Sequence, residues 1–560
     1  MTTGTPAPLL SVENLNVSFP GPDGPRHIVK DVSFTLRRGR CTALVGESGS
    51  GKSVTSRSLV GLPGEGATVT ADRLDFDGEG LLDRPDRWWR GVRGSRIGFI
   101  LQDALVSLDP LRPVGREISE TLALHGLGGP HNRHRRRELT EELLDRVGVP
   151  EPPLRARQRP GELSGGLRQR ALIASAIALN PDLVIADEPT TALDVTVQAQ
   201  VLSVLETMIA DGTSVILVSH DLAVVAQLAD DILVMQGGRI VESGPADDLL
   251  HNPQHPYTRQ LIDAVPSEHT RGTRLSHTTP PDRTAAALFP PHPSGQSAQD
   301  GATGPLLEVR DVSKSYRGPD RRRRKVVDGI SFTLARGETL GIVGESGSGK
   351  STVARIALSL VTPDDGDVRF DGGDWSTASG REQRRIRRRI AVVYQDPLSS
   401  FDPRWTVSRI LRDAVALGDP GNADRPQDRV VELLEMVGLS PNVAGTLPVR
   451  LSGGQRQRVA IARALATNPE VVVLDEAVSA LDVSVQAQIL DLLSDLQKQL
   501  NVSYLFISHD LGVIHHMSDR VLVMQGGKVV EQGTADEVFL SPREPYTRRL
   551  LDSLPRLQHA

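Results

Sequence analysis

The chain has 560 residues, too many for a single hydrophobic core, and its net charge of −6 gives no overall attraction to nucleic acid. One cysteine, Cys41, excludes an intramolecular disulfide and any cysteine-based zinc or iron–sulfur site, which fits a reducing cytoplasm. No apolar run approaches the roughly 18 residues of a membrane span and the N-terminus lacks the basic and apolar regions of a secretion signal, so a soluble chain is expected, with any membrane task left to other subunits.

Taken in order, the chain opens with two alternating, strand-like segments, Leu10–Phe19 and 29–36. An apolar run, Thr42-Ala43-Leu44-Val45, leads as a buried strand into Gly46-Glu47-Ser48-Gly49-Ser50-Gly51-Lys52-Ser53, and residues 52–59 follow as a helix. This is the spacing G-x-x-x-x-G-K-[ST] of a phosphate-cradling loop. Glycines let backbone N–H groups point inward, and the helix N-terminus adds roughly half a positive charge. Lys52 is expected to reach the β- and γ-phosphates of a nucleoside triphosphate and Ser53 to hold Mg²⁺.

The strand Ile97-Gly98-Phe99-Ile100-Leu101 then ends in Gln102, placed to reach Mg²⁺ or an attacking water. Residues 116–149 read as amphipathic helix, with a basic cluster at Arg133, Arg135, Arg136 and Arg137. Such a cluster is a solvated surface or a contact for anionic lipid headgroups. Ser164, Gly165 and Gly166 open a helix over 168–179: serine caps it and the glycines leave its first N–H groups unobstructed, a second anion site with no lysine. Four apolar residues ending in Asp187-Glu188 are a buried strand with its acids at the C-terminal edge. Asp187 is expected to bind Mg²⁺ through water, and Glu188 to orient or deprotonate the water that attacks the γ-phosphate. His220, after the apolar strand 214–218, can bond the γ-phosphate and hold the glutamate.

Everything then recurs. Gly344, Glu345, Ser346, Gly347, Ser348, Gly349, Lys350, Ser351 and Thr352 repeat the phosphate loop, with the two lysines 298 residues apart. Gln395, Ser452, Gly453, Gly454, Gln455, Asp475, Glu476 and His509 return in the same order, with Ser351, Gln395 and Asp475 as the second Mg²⁺ set. Strand-like segments 306–316 and 326–334 open this half, residues 407–439 read as its amphipathic helix, 456–467 as the helix after its second anion site, and further basic clusters lie at 321–325 and 384–389. Aromatics are only 3% of the chain, so Phe19 and Tyr316 carry information: each precedes its loop lysine, by 33 and 34 residues. Each either stacks on adenine or packs on the core. Two domains are expected, 8–266 and 306–556, joined by a flexible Pro/Ser/Thr-rich linker at 267–305.

The phosphate loop, glutamine loop, Leu-Ser-Gly-Gly signature, Asp-Glu pair, Ala-Leu-Asp (192–194 and 480–482) and histidine, in that order, resemble the ATP-binding cassette ATPases. The stretches Gln102–Pro110 and Gln395–Pro403 and the tails His255-Pro256-Tyr257-Thr258-Arg259 and Glu544-Pro545-Tyr546-Thr547-Arg548 further resemble the oligopeptide/dipeptide/nickel importers. The resemblance implies an α/β fold with two P-loop nucleotide-binding domains, each with a RecA-like core, an antiparallel β subdomain and a helical subdomain. It also implies ATP and Mg²⁺ as cofactors and intrachain head-to-tail pairing, so that Ser452, Gly454 and Gln455 complete the Lys52 site and Ser164–Gly166 the Lys350 site. Two membrane permeases, fed by an extracytoplasmic binding protein, would be the partners, with no nucleic acid, and the chain would sit peripherally on the cytoplasmic face of the inner membrane. Leu167 departs from the pattern, standing where Gln455 stands in the second half. The alternative is a soluble tandem-cassette ATPase acting on the ribosome; proteins of that kind resemble one another in a long charged helical linker, which this Pro-rich stretch does not match.

Overall fold

A computed structural model describes residues 7–22, 24–102, 107–127, 132–190, 193–266, 270–276, 289, 304–317, 322–376, 378–418, 426–479 and 481–554. Ala192, Ala480 and most of the expected linker lie outside them. The chain divides into two compact units, one built on the residues up to Ile262 and one on Asp263–Ser553.

In the first unit, six strands form one sheet in the order Arg239–Pro245, Asp231–Gln236, Cys41–Val45, Ser214–Ser219, Leu183–Asp187, Ile97–Ile100. All pairings are parallel except that of the edge strand Arg239–Pro245. The three middle strands are buried along their whole length, which is why they read as unbroken apolar runs rather than as alternation. The half-exposed strand Leu10–Phe19 belongs instead to a separate antiparallel sheet with Arg26–Leu36, Arg73–Phe76, Glu79–Gly80 and Thr68–Thr70. The apolar faces of both sheets meet in one core that includes Leu15, Val32, Phe76, Ile185 and Val218.

The second unit repeats this plan. Its six-stranded sheet runs Ile390–Tyr394, Val471–Asp475, Ser503–Ile507, Thr339–Val343, Arg520–Gln525, Lys528–Thr534, and its antiparallel sheet runs Arg323–Leu334, Leu307–Arg317, Asp365–Phe370, Gly373–Asp374.

Three expectations are corrected. Each long helical segment is two helices, Val114–Leu124 with Arg133–Arg146, and Val407–Gly418 with Pro426–Met436. Between the first pair the sequence reads Gly128-Gly129-Pro130, a turn signal, and Asn132 caps the next helix by accepting the Arg135 N–H at 3.0 Å. The helices after the signatures begin earlier, at Gly165 and Gly453, directly behind their serine caps. Part of the expected linker, 270–276, belongs to the second unit: Arg271 pairs with Asp536 at 2.8 Å, Arg274 with Asp495 at 2.9 Å, and the Leu275 and Ser276 N–H groups donate to Asp491 at 3.1 and 2.9 Å.

The basic clusters are partly spent inside the fold. Arg135 and Arg137 pair with Glu138 and Glu141 along their own helix. Arg389 is bonded to Asp371 and Glu470, the same two acids that hold Arg336. Among the described residues no helix is long and apolar enough to cross a membrane.

Candidate nucleotide sites

The strand Cys41–Val45 delivers the chain to a loop that only glycine can start. Gly46 has φ +150°, and a Cβ there would stand 2.2 Å from the Met235 carbonyl oxygen. Gly344 repeats this, with φ +147° and the Met524 carbonyl at 2.2 Å. The loop curls around its own lysine: Lys52 Nζ donates to the Gly46 and Glu47 carbonyls at 2.6 and 3.0 Å, and Lys350 Nζ to Gly344 and Glu345 at 2.6 and 2.9 Å. Both lysines are buried; Ser48, Gly49, Ser346 and Gly347 face solvent at the loop tips, and Thr352 is half-buried.

Two strands away across the sheet, Asp187 comes level with the loop. Ser53 Oγ donates to Asp187 Oδ1 at 2.9 Å, and Ser351 Oγ to Asp475 Oδ1 at 3.3 Å. Burial raises both aspartates above the ordinary carboxylate range, against the opposing pull of these serines. Asp187 is fully buried and its Oδ2 has no hydrogen-bond partner among the described residues, nor have the buried hydroxyls of Ser50 and Ser348. Buried polar atoms left without a hydrogen bond are costly. A carboxylate oxygen beside a hydroxyl suits a divalent cation held between protein and phosphate, and the loop hydroxyls suit phosphate oxygens. No group of three or more His, Cys, Asp or Glu among the described residues could hold a metal alone; a cation shared with a triphosphate needs none.

The next residue, Glu188, has φ +50°, and Glu476 has φ +52°. A left-handed backbone at a glutamate costs on the order of 1–3 kcal/mol and persists only where its surroundings enforce it. Here the Glu188 N–H donates to the Val218 carbonyl and the Glu476 N–H to Ile507, each at 2.9 Å, tying the turn to the neighbouring strand. That neighbouring strand also carries the histidine. His220 Nδ1 lies 3.4 Å from Glu188 Oε1, and His509 Nδ1 lies 3.6 Å from Glu476 Oε1. The His509 bond holds the Glu476 carboxyl below its ordinary range. Burial works to depress His509, but the bond and charge of Glu476, with Asp510, outweigh it and raise the imidazole.

The glutamines differ between the units. Gln102 Nε2 donates to Glu188 Oε2 at 2.8 Å; Gln395 Nε2 donates to the Ser479 hydroxyl at 3.3 Å. The signature helices differ too. Ser452 accepts the Gln455 N–H at 3.3 Å and donates its own N–H to the Gln455 side chain at 3.1 Å, a closed capping box. Ser164 accepts the Leu167 N–H at 3.4 Å, and Leu167 has no oxygen to return the bond. Gly165 and Gly453 start these helices. Gly166 and Gly454 are needed for packing: a Cβ would stand 2.3 Å from Val197 Cγ1 and 2.4 Å from Val485 Cγ1. Of the two aromatics, Tyr316 is 41% exposed, whereas Phe19 packs against the core.

Each unit therefore gathers its phosphate loop, aspartate, glutamate and histidine, and the first unit adds its glutamine to the glutamate. Sequence reasoning missed two contacts. Arg57 NH2 lies 3.8 Å from Asp187 Oδ2. The Tyr257 and Tyr546 hydroxyls accept the Glu47 and Glu345 N–H groups at 3.0 and 3.2 Å. The only signal for the second was that one tyrosine recurs in both tails.

Comparison with known proteins agrees with this geometry. The ABC transporter family matches residues 29–191 and 327–479. The oligopeptide/dipeptide transporter C-terminal region matches residues 241–288 and 530–560. The oligopeptide transport ATP-binding protein OppD of Mycobacterium tuberculosis is 42% identical over 98% of this chain and 99% of its own length. The glutathione import ATP-binding protein GsiA of Salmonella typhimurium is 42% identical over 98% of this chain and 89% of its own. The peptidoglycan transport ATP-binding protein YejF of Agrobacterium fabrum is 43% identical over 97% and 96%. Two cassettes with full phosphate-loop machinery, each followed by such a tail, place this chain in the ABC transporter family, as a tandem ATPase of the peptide-importer branch.

Proposed function

We propose that this chain powers the import of di- or oligopeptides through two separate membrane permeases, hydrolysing ATP at two sites, each completed by the signature of the opposite half. The observation that carries the reading is the pairing, in both halves, of a complete Lys–Asp–Glu–His set with an oligopeptide/dipeptide transporter tail.

In the first site Lys52 and the loop N–H groups hold the phosphates and Ser452, Gly454 and Gln455 close over the γ-phosphate. In the second, Lys350 and Ser164–Gly166 do the same, and the exposed Tyr316 stacks on the adenine. Ser53, Asp187 and Gln102, and Ser351, Asp475 and Gln395, would hold Mg²⁺, which when bound neutralises charge on the β- and γ-phosphates. Glu188 and Glu476 accept the proton of the attacking water as its oxygen bonds to the γ-phosphorus and the bond to the ADP oxygen breaks. His220 and His509 hold those carboxylates in line. Because each γ-phosphate is gripped from both halves, its loss releases them from one another, and the helical regions carry that movement to the permeases. An extracytoplasmic binding protein delivers cargo to the permeases, and this chain sits on the cytoplasmic face of the membrane.

The test uses the double variant E188Q/E476Q, tagged, expressed in cells and fractionated with ATP. The expected result is cosedimentation with membranes and two co-purifying multi-span proteins, whose uptake of labelled dipeptides then requires the wild-type ATPase. Sedimentation with ribosomes and none with membranes would overturn the reading.

A further inference from the structure

Each tail is built to reach back to its phosphate loop. In the first unit the Glu242 carboxylate accepts the backbone N–H groups of Gln254 and His255 at 2.7 and 3.1 Å, which fixes the turn before the helix Pro256–Asp263. That turn buries Tyr257 to 5% exposure, and its hydroxyl accepts the Glu47 N–H at 3.0 Å. In the second unit Glu531 accepts the N–H groups of Arg543 and Glu544 at 2.7 and 3.3 Å, Tyr546 is 6% exposed, and its hydroxyl accepts the Glu345 N–H at 3.2 Å.

The peptide involved is a particular one. The amide that donates to Tyr257 belongs to the same planar unit as the Gly46 carbonyl, and that carbonyl accepts Lys52 Nζ at 2.6 Å. Gly344, Glu345, Lys350 and Tyr546 repeat the arrangement, with the carbonyl bond again at 2.6 Å. Glycine at this position leaves the plane free to rotate, since it has no Cβ to restrict φ and ψ. A hydroxyl bonded to one side of the plane fixes the direction of the carbonyl on the other, and so the seat of the ammonium.

We propose that Tyr257 and Tyr546 are positioning residues of the two ATP sites: each tail hydroxyl pins the first peptide plane of its phosphate loop and thereby sets the lysine that binds the phosphates. The tail is then part of the nucleotide site and not only an appendage of it. This rests on the reading of both loops as ATP sites.

The test compares the full-length wild type with Y257F/Y546F, which keeps the rings and removes only the hydroxyls. Mant-ATP titration and ATPase kinetics are measured together with hydrogen exchange over 46–53 and 344–351 without nucleotide. One lost hydrogen bond is expected to raise the ATP Kd and KM about fivefold, with faster exchange confined to those loops. If the double variant does not stay soluble, Y257F and Y546F alone each show faster exchange in their own loop. An unaltered Kd and unaltered loop exchange, beside a wild type that binds ATP, overturns the inference alone; so does a lowered unfolding midpoint with unaltered Kd. A wild type that binds no ATP overturns the reading of the sites, and the inference with it.

Discussion

The side-chain amide of Gln102 donates to the Glu188 carboxylate across 2.8 Å, while its counterpart Gln395 turns to Ser479. The two sites therefore rest differently although their residues match. In the first, Glu188 accepts a hydrogen bond from the glutamine and His220 Nδ1 lies 3.4 Å away; in the second, His509 Nδ1 lies 3.6 Å from Glu476 and the glutamine is parked on a neighbouring hydroxyl.

Removing the glutamine should therefore be felt unequally. Q102A frees one carboxylate oxygen of Glu188, and slowed ATP turnover by about 10- to 150-fold is expected, from the loss of a hydrogen bond to a charged group. Q395A should slow its own site less. Single-turnover hydrolysis by each variant measures this, and a larger loss for Q395A would refute the difference.

The signature caps give a second contrast. L167Q supplies the oxygen that the first capping box lacks and should stabilise that helix start by about 0.5–1 kcal/mol; Q455L should cost the second about as much. Amide exchange in the first turn of each helix reports it directly. The rates should slow in L167Q and quicken in Q455L; unchanged rates in both would show that the box contributes nothing.

The second signature glycine is set by packing rather than by backbone conformation. G166A would drive a methyl to 2.3 Å from Val197 and G454A to 2.4 Å from Val485, costing about 1–3 kcal/mol each through strain. Adding V197A or V485A should recover part of that loss in urea unfolding. Full additivity of the paired substitutions would place the clash elsewhere.

Away from the sites, Glu470 lies between Arg336 and Arg389, with Asp371 bonded to the same two guanidiniums. Burial pushes the Glu470 carboxyl up, but the bonds to Arg389 and Arg336 outweigh it and hold it below the ordinary 4.5. A carboxylate held low stabilises the fold above its unfolded pKa, and the contribution fades as pH falls through the folded value. E470Q should be less stable than wild type by about 1–3 kcal/mol at pH 7, with the gap closing as the pH falls through and below the ordinary glutamate range. Urea midpoints against pH test it, and a gap that widens with acid would reverse the sign of the argument.

The phosphate loops, the acidic strand ends and the histidines were legible because each is local: strand, turn and helix start are written in consecutive residues. The parallel strands were legible because burial on both faces leaves an unbroken apolar run. What was hidden depends on distant partners. Nothing near Glu188 foretells a left-handed backbone, since the bond that holds it comes from Val218 on the next strand. Arg389 read as part of an exposed basic cluster, because its acids, Asp371 and Glu470, lie on separate elements. Tyr257 lies 210 residues from Glu47, so the sequence marked the tail without its purpose. The helical subdomains read as single helices because amphipathic periodicity continues across a break, and the break itself is marked only by glycine, proline and a capping asparagine.

The most direct test of two working ATP sites is the steady-state ATPase rate of purified E188Q, E476Q and the double variant, in complex with the permeases. Each single substitution removes a proton acceptor and is expected to lower turnover by at least about 100-fold if the sites fire together, or to about half if they fire independently, with the double variant inactive in both cases. A single variant that hydrolyses ATP at the wild-type rate would contradict the account, because the Glu–His pair of that half would then have no part in the reaction.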